Sequence, residues 1–89
     1  MSEFSIVSVN DFDLSDLMIY PNPANGDYVT IQSSISGEKD IEVYDITGKR
    51  LINTILNSDK LDVSSVSSGV YLVKVTIQGQ TKVSKLIIR

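Results

Sequence analysis

The chain of 89 residues contains no cysteine and no histidine, and these two absences narrow its chemistry. Without cysteine there is no disulfide framework, thiolate metal site or cysteine nucleophile. Without histidine the commonest general base and the Ser–His–Asp arrangement are excluded. A nucleophilic site would need Ser84 beside Lys82 or Lys85, but adjacent strand residues point to opposite faces and a small domain offers little cleft. We therefore expect no catalytic residue and no cofactor.

Long apolar runs and a strong charge of either sign are also missing. No segment approaches the ~20 apolar residues of a membrane-spanning helix, so membrane insertion is not expected. The net charge is −3 and the eight Lys and Arg residues are scattered, which disfavours nucleic-acid binding. Apolar residues make up 42% and charged residues 21%, values typical of a folded domain. We expect one small domain, a monomer, whose secretory signal lies elsewhere if it is exported.

Turn residues divide the chain into short segments in which apolar and polar residues alternate. Pro21 and Pro23 exclude a helix at that point, and glycines recur at the predicted turns. Alternation with period two predicts that Val29 and Ile31 point inward, and it marks strands over residues 28–34, 40–46, 49–56, 61–63, 69–77 and 81–89. Turn signals about every ten residues, without a helical period, predict an all-β, immunoglobulin-like antiparallel β-sandwich of about seven short strands.

The N-terminal segment differs from the rest in composition. We predict that residues 17–89 form the sandwich and that residues 1–16 are a linker or a cloning remnant. Asp11, Asp13 and Asp16 raise the possibility of a calcium loop, because closely spaced carboxylates suit a hard cation. The central glycine and distant glutamate of such a loop are absent, so a solvated linker is favoured and no metal site is predicted.

Four tyrosines supply most of the aromatic content, at Tyr20, Tyr28, Tyr44 and Tyr71. Sharing one exposed face, they would form a platform for sugars. Tyrosines in small sandwiches more often cover the core with the ring while the hydroxyl reaches a backbone partner. A carbohydrate-binding or adhesive module appended to a secreted enzyme is therefore the alternative function.

The closing segment is the most strongly patterned. Residues 69–77 and 81–89 predict a β-hairpin, and Gly79 provides the positive φ that a short turn requires. The second strand ends in an apolar run flanked by Lys85 and Arg89. Because chain ends ordinarily fray, such a strand is either held tightly in the fold or recognised by a partner.

Motifs in a fixed order carry a resemblance to a known family. They are Tyr20-Pro21-Asn22-Pro23-Ala24, residues 43–51, residues 62–75 and residues 85–89. Together, over residues 18–89, they resemble the type A C-terminal sorting domain of the type IX secretion system. The resemblance implies a non-catalytic, immunoglobulin-like domain that directs an attached cargo through the outer-membrane translocon. A sortase-like peptidase then removes the domain, and the cargo is anchored at the cell surface or released.

The resemblance also assigns roles to residues and partners. The residues implied in sorting are Gly69, Lys85, Leu86, Ile87, Ile88 and Arg89. Those implied as structural motif residues are Tyr20, Pro21, Asn22, Pro23, Asp45, Gly48 and Tyr71. Cleavage is expected within residues 5–16. The implied partners are translocon components, the peptidase and the upstream cargo. The implied route leads through the periplasm to the cell surface or the medium. The physical rationale is that an edge strand presents unpaired backbone groups by which a partner extends the sheet, while Leu86, Ile87 and Ile88 give selectivity.

Overall fold

The computed structural model describes residues 16–24 and 27–89, which form two antiparallel sheets. The strands are β1 (Met18–Tyr20), β2 (Tyr28–Gln32), β3 (Lys39–Asp45), β4 (Arg50–Leu56), β5 (Lys60–Asp62), β6 (Gly69–Ile77) and β7 (Gln80–Ile88). The smaller sheet has the order β1-β2-β5 and the larger sheet the order β4-β3-β6-β7. The predicted all-β, immunoglobulin-like sandwich is confirmed.

The core lies between the two sheets because alternate residues of each strand point inward. Val29 and Ile31 are buried while Gln32 is exposed, as the alternation predicted. The larger sheet contributes most of the remaining core. Its buried apolar residues are Ile41, Val43, Tyr71, Val73, Val75, Ile77, Leu86 and Ile88.

The closing hairpin of β6 and β7 is the longest pairing in the fold. Its register runs without interruption from Gly69 opposite Ile88 to Ile77 opposite Gln80. The turn consists of Gln78 and Gly79, whose φ angles are 49° and 78°. Positive φ at both central residues matches the twist of the flanking strands, so the turn keeps the long hairpin in register. The positive φ predicted at Gly79 is confirmed.

Strand boundaries differ from the predictions by one or two residues. β2 ends at Gln32 rather than at residue 34, because side chains bind the backbone that follows. The hydroxyl of Ser33 accepts a hydrogen bond from the Ile35 amide at 3.0 Å, and the Ser34 amide donates to the Asp16 carboxylate at 3.2 Å. These bonds turn the chain out of the sheet.

Part of the N-terminal prediction lies outside the described residues. Residues 1–15 of the predicted linker lie outside the described part of the chain, and with them the expected cleavage region up to residue 15 and Asp11 and Asp13 of the calcium alternative, so these stay predictions. Within residues 16–24 and 27–89, no helix is long and apolar enough to cross a membrane.

Candidate functional site

The last strand of the sequence, β7, forms one edge of the larger sheet. Leu86 and Ile88 point into the core, where they are 0% and 6% exposed, while Lys85 and Arg89 are exposed and Ile87 is half-buried. The structure thus separates the predicted sorting residues into an inward pair and an outward group. A partner that binds the folded domain meets only the outward group.

The proline motif lies along the outer edge of β7. The Asn22 amide nitrogen donates to the Lys85 carbonyl at 2.9 Å, and the Ile87 amide donates to the Asn22 side-chain oxygen at 3.0 Å. The Ala24 amide donates to the Ile87 carbonyl at 2.7 Å, and the Arg89 amide donates to the Ala24 carbonyl at 2.8 Å. We call residues 22–24 the edge clasp, because they satisfy three backbone groups of β7 and the amide of Arg89, which follows it.

The sequence of the edge clasp explains this pairing. Pro23 has no N–H, so the segment cannot offer β7 an unbroken row of backbone donors. The carboxamide of Asn22 carries both a donor and an acceptor and takes the place of a peptide group. Ala24, which pairs in parallel with Ile88, is completely buried. The clasp is therefore continuous with the core and holds the last strand in place.

The expectation that residues 85–89 present a free backbone edge is wrong for these four groups. The Lys85 carbonyl, both backbone groups of Ile87 and the Arg89 amide are occupied within the domain. The idea that Leu86, Ile87 and Ile88 together provide selectivity also fails for the folded domain, because Leu86 and Ile88 are buried. Hydrogen bonds within the domain occupy the backbone groups of residues 85–89 through which a partner would extend the sheet.

Gly69 and Tyr71 form a corner at the start of β6. The Tyr71 hydroxyl donates to the Ser67 carbonyl at 2.6 Å, and its ring is buried. A tyrosine at this position of an immunoglobulin-like fold characteristically bonds the backbone a few residues upstream. A side chain at Gly69 would begin 3.4 Å from the Tyr71 hydroxyl and 3.5 Å from its ring, an ordinary van der Waals contact, so Gly69 lies directly against this ring.

Asp45 organises the turn between β3 and β4, which contains Gly48. Its carboxylate accepts hydrogen bonds from the Thr47 hydroxyl at 2.6 Å, the Thr47 amide at 2.9 Å and the Lys49 amide at 3.0 Å. The hydrogen bond from the Thr47 side chain, followed by that from the Lys49 backbone, lowers the pKa of Asp45. Asp45 and Gly48 thus have structural roles in this turn, and Asp45 is separated from β7 by β6.

The tyrosines do not share one face. Tyr20 and Tyr28 lie exposed on the outer face of the smaller sheet, where the Tyr20 hydroxyl donates to Gln32 at 2.9 Å. Tyr44 lies on the larger sheet and bonds Glu42, and Tyr71 is buried. A sugar platform would therefore consist of two tyrosines.

In the Ser–Lys arrangement, which the sequence disfavours, only one of the two lysines lies on the same side of β7 as Ser84. Ser84 and Lys82 lie on the same side of β7, since they pair with Val73 and Val75, whereas Lys85 pairs with Leu72 on the other side. Lys85 therefore cannot act on Ser84 within the folded strand.

Sequence reasoning missed the contacts of the edge clasp. Asn22 and Ala24 were assigned only to a proline motif, and their partners are 63 or more residues away. The available signal was an asparagine between two prolines in a chain whose last strand was predicted at a sheet edge. That signal indicates a side chain substituting for a missing backbone donor, although it does not name the partner.

The chain is thus a small immunoglobulin-like β-sandwich module whose last strand is held by the edge clasp. The chain belongs to the family of secretion system C-terminal sorting domains, since the family model matches residues 18–89. The family is one of type IX sorting signals and not of enzymes. Membership implies a secreted protein, exported to the cell surface or the medium, with attachment to an upstream cargo and contact with the secretion machinery.

The comparison with solved structures agrees. The chain is similar to PorZ, described as an essential bacterial surface component of the type-IX secretion system of human oral-microbiomic Porphyromonas gingivalis. The two are 26% identical over 82% of this chain, with a TM-score of 0.63, and the chain spans 11% of that protein's length. No curated protein matches the chain.

Proposed function

We propose that this domain directs an attached upstream cargo through the type IX outer-membrane translocon, and that Gly69 and residues 85–89 are needed for recognition. The family match over residues 18–89, which includes the whole of β7, is the observation that supports this role. The domain contributes recognition and no catalysis. The cargo reaches the periplasm through its own export signal before the domain engages the translocon.

The test is a reporter protein with an export signal, fused to residues 1–89 and expressed in a bacterium that has a type IX system. The reporter should appear at the surface or in the medium, and deletion of residues 85–89 should leave it in the periplasm. Because Leu86 and Ile88 are buried, this deletion also destabilises the sandwich. Val63→Ala serves as the control, since Val63 is 2% exposed and lies outside the closing hairpin.

The control separates recognition from stability. Export should persist in Val63→Ala at a temperature where the variant remains folded by circular dichroism. Efficient surface delivery without residues 85–89 would overturn the proposal. Equal loss of export in both variants, with Val63→Ala still folded, would also count against a specific role for β7.

Removal of the domain is the second part of the proposal. A sortase-like peptidase cuts within residues 5–16, ahead of β1, and leaves the sandwich intact. Mass spectrometry of the released domain should give an N-terminus in that range. A cut beyond Leu17 contradicts this, because Leu17 is buried in the core.

One observation favours the carbohydrate-binding alternative, namely the exposed pair Tyr20 and Tyr28 on one face. Stacking on sugars would be abolished by the double substitution Tyr20→Ala and Tyr28→Ala. A glycan array probed with the labelled domain tests this. Binding that the double variant loses supports the alternative, and absence of binding by the unmodified domain removes it.

A further inference from the structure

An apolar cluster lies exposed on the outer face of the larger sheet. Val70, Leu72 and Val83 are 44%, 43% and 54% exposed, and Ile87 is half-buried. Val70 is paired with Ile87, Leu72 with Lys85, and Val83 with Lys74, so the four apolar residues are neighbours on β6 and β7. The solvent face of an antiparallel sheet ordinarily carries polar residues. We call Val70, Leu72, Val83 and Ile87 the outer apolar patch.

Positive charge borders the outer apolar patch. Lys85 lies within it and Arg89 at its end, and both side chains are exposed. Among the described residues the ion pair formed is Lys39 with Asp59, so neither Lys85 nor Arg89 is neutralised by a salt bridge there. The chain as a whole carries a net charge of −3. An apolar centre bordered by Lys85 and Arg89, with Lys74 opposite Val83 and beside Glu42, is complementary to an apolar surface with carboxylates.

The edge clasp determines how a partner can contact β7. Four backbone groups between Lys85 and Arg89 are occupied by Asn22 and Ala24. Releasing them would expose Ala24, which is completely buried. The side chains on the outer face are accessible without any such opening. Binding to this face therefore costs less than extension of the sheet along residues 85–89.

We propose that the outer apolar patch is the docking surface for a protein partner that presents an apolar centre flanked by carboxylates, and that this partner binds with the edge clasp closed. The inference rests on the proposed function, in which the partner is the component of the secretion machinery that receives the domain. The carboxylates lie against Lys85 and Arg89, and the apolar centre covers Leu72 and Val83.

The first test uses the same reporter fusion with Leu72→Thr and Val83→Thr combined. Threonine is β-branched and therefore suits a strand, but it removes apolar contact area at both positions. Surface delivery should fall about tenfold or more, as expected for the loss of central interface contacts. Ile55→Thr is the matched control, because Ile55 is 58% exposed on the same face but at the opposite edge of the sheet, and it should be exported like the unmodified domain.

The second test reverses the charge. Lys85→Glu should reduce surface delivery by about tenfold, because it places like charges against the partner, while Lys85→Arg should retain delivery. Lys60→Glu on the exposed face of the smaller sheet is the control for net charge and should have no effect. Export of Lys85→Glu at the unmodified level would overturn the inference, as would an equal loss in Lys60→Glu.

The third test distinguishes the face from the edge. Asn22→Ala frees the Lys85 carbonyl and the Ile87 amide, so a partner that extends the sheet would bind better. Docking on the outer face predicts no increase in export, and an increase would overturn it.

The experiments distinguish failure of this inference from failure of the proposed function. Loss of export on deletion of residues 85–89, with normal export of both patch variants, refutes the docking surface alone.

Discussion

The two edge strands of the larger sheet, β7 and β4, are protected in different ways. The C-terminal end of β7 is covered by Asn22 and Ala24, which occupy four backbone groups between Lys85 and Arg89. β4, at the opposite edge, pairs with β3 alone among the described strands, and the register of this pair shifts between Val43 and Tyr44 of β3. An uncovered edge is a template for unwanted pairing, which covering by another segment and an irregular ladder both discourage. The comparison indicates that the C-terminal end of β7 is held by hydrogen bonds, whereas β4 depends on its irregular pairing with β3.

The largest expected difference between the two edges is in core packing. Leu86 of β7 is completely buried, and Ile55 of β4 is 58% exposed. Leu86→Ala should lower the free energy of unfolding by about 2–5 kcal/mol, since it removes buried methyl groups and leaves a cavity. Ile55→Ala should lower it by less than about 1 kcal/mol, the range of strand propensity at an exposed site. Urea denaturation of both variants measures the difference, and similar losses would contradict the difference in burial between the two side chains.

The sequence predicted the sandwich because its signals are local. Alternation placed Val29 and Ile31 inward, and Gly79 marked the turn of the closing hairpin. β4 was harder, because it is apolar on both faces. Only the structure shows that Ile52 and Leu56 pack on the core while the opposite face is exposed. Periodicity identifies a buried face only when the other face is polar.

The contacts of the candidate site could not be predicted in the same way. The edge clasp joins residues 63 and 65 positions apart, and its key bonds come from the Asn22 side chain. Neither hydrophobic pattern nor turn chemistry specifies which carbonyl an exposed amide will reach. The family resemblance located the motif at residues 20–24 and the last strand at residues 85–89. It did not predict that the motif covers the strand.

The next largest effect concerns the edge clasp itself. Asn22→Ala removes two hydrogen bonds to β7 and should lower the free energy of unfolding by about 1–2 kcal/mol. Hydrogen exchange at the Ile87 amide should accelerate accordingly. Asn53→Ala, at an exposed position of β4, is the matched control and should change stability by no more than about 0.5 kcal/mol. An unchanged Ile87 exchange rate in Asn22→Ala would show that the clasp does not hold this edge.

A smaller effect is expected from the tyrosines on the two sides of the sheet. Tyr71→Phe leaves the Ser67 carbonyl without its partner at the start of β6 and should cost about 1 kcal/mol. Tyr44→Phe removes a bond to Glu42 on the outer face of β3, beside β4, and should be neutral within about 0.5 kcal/mol. Thermal unfolding of the two variants provides the measurement. Equal shifts in Tm would contradict the stronger anchoring of the closing hairpin.

The smallest effect is a difference in pH dependence between the two regions. Asp45 stabilises the turn before β4 as a carboxylate, and its hydrogen bonds from Thr47 and Lys49 lower its pKa below the ordinary 3.8. Because the pKa of Asp45 is lower in the folded state, this stabilisation is fully present above the ordinary pKa of about 3.8. It is lost as the pH falls from there through the lower pKa of the folded state. The edge clasp uses the Asn22 carboxamide, which does not titrate. The measurement is protection from hydrogen exchange, corrected for the intrinsic rate. On acidification, protection should fall at the Lys49 amide, while the Ile87 amide should keep its protection until the domain unfolds globally. Asp45→Asn should remove the pH dependence at Lys49, and parallel loss of protection at both amides in the unmodified domain would show that the two regions open together.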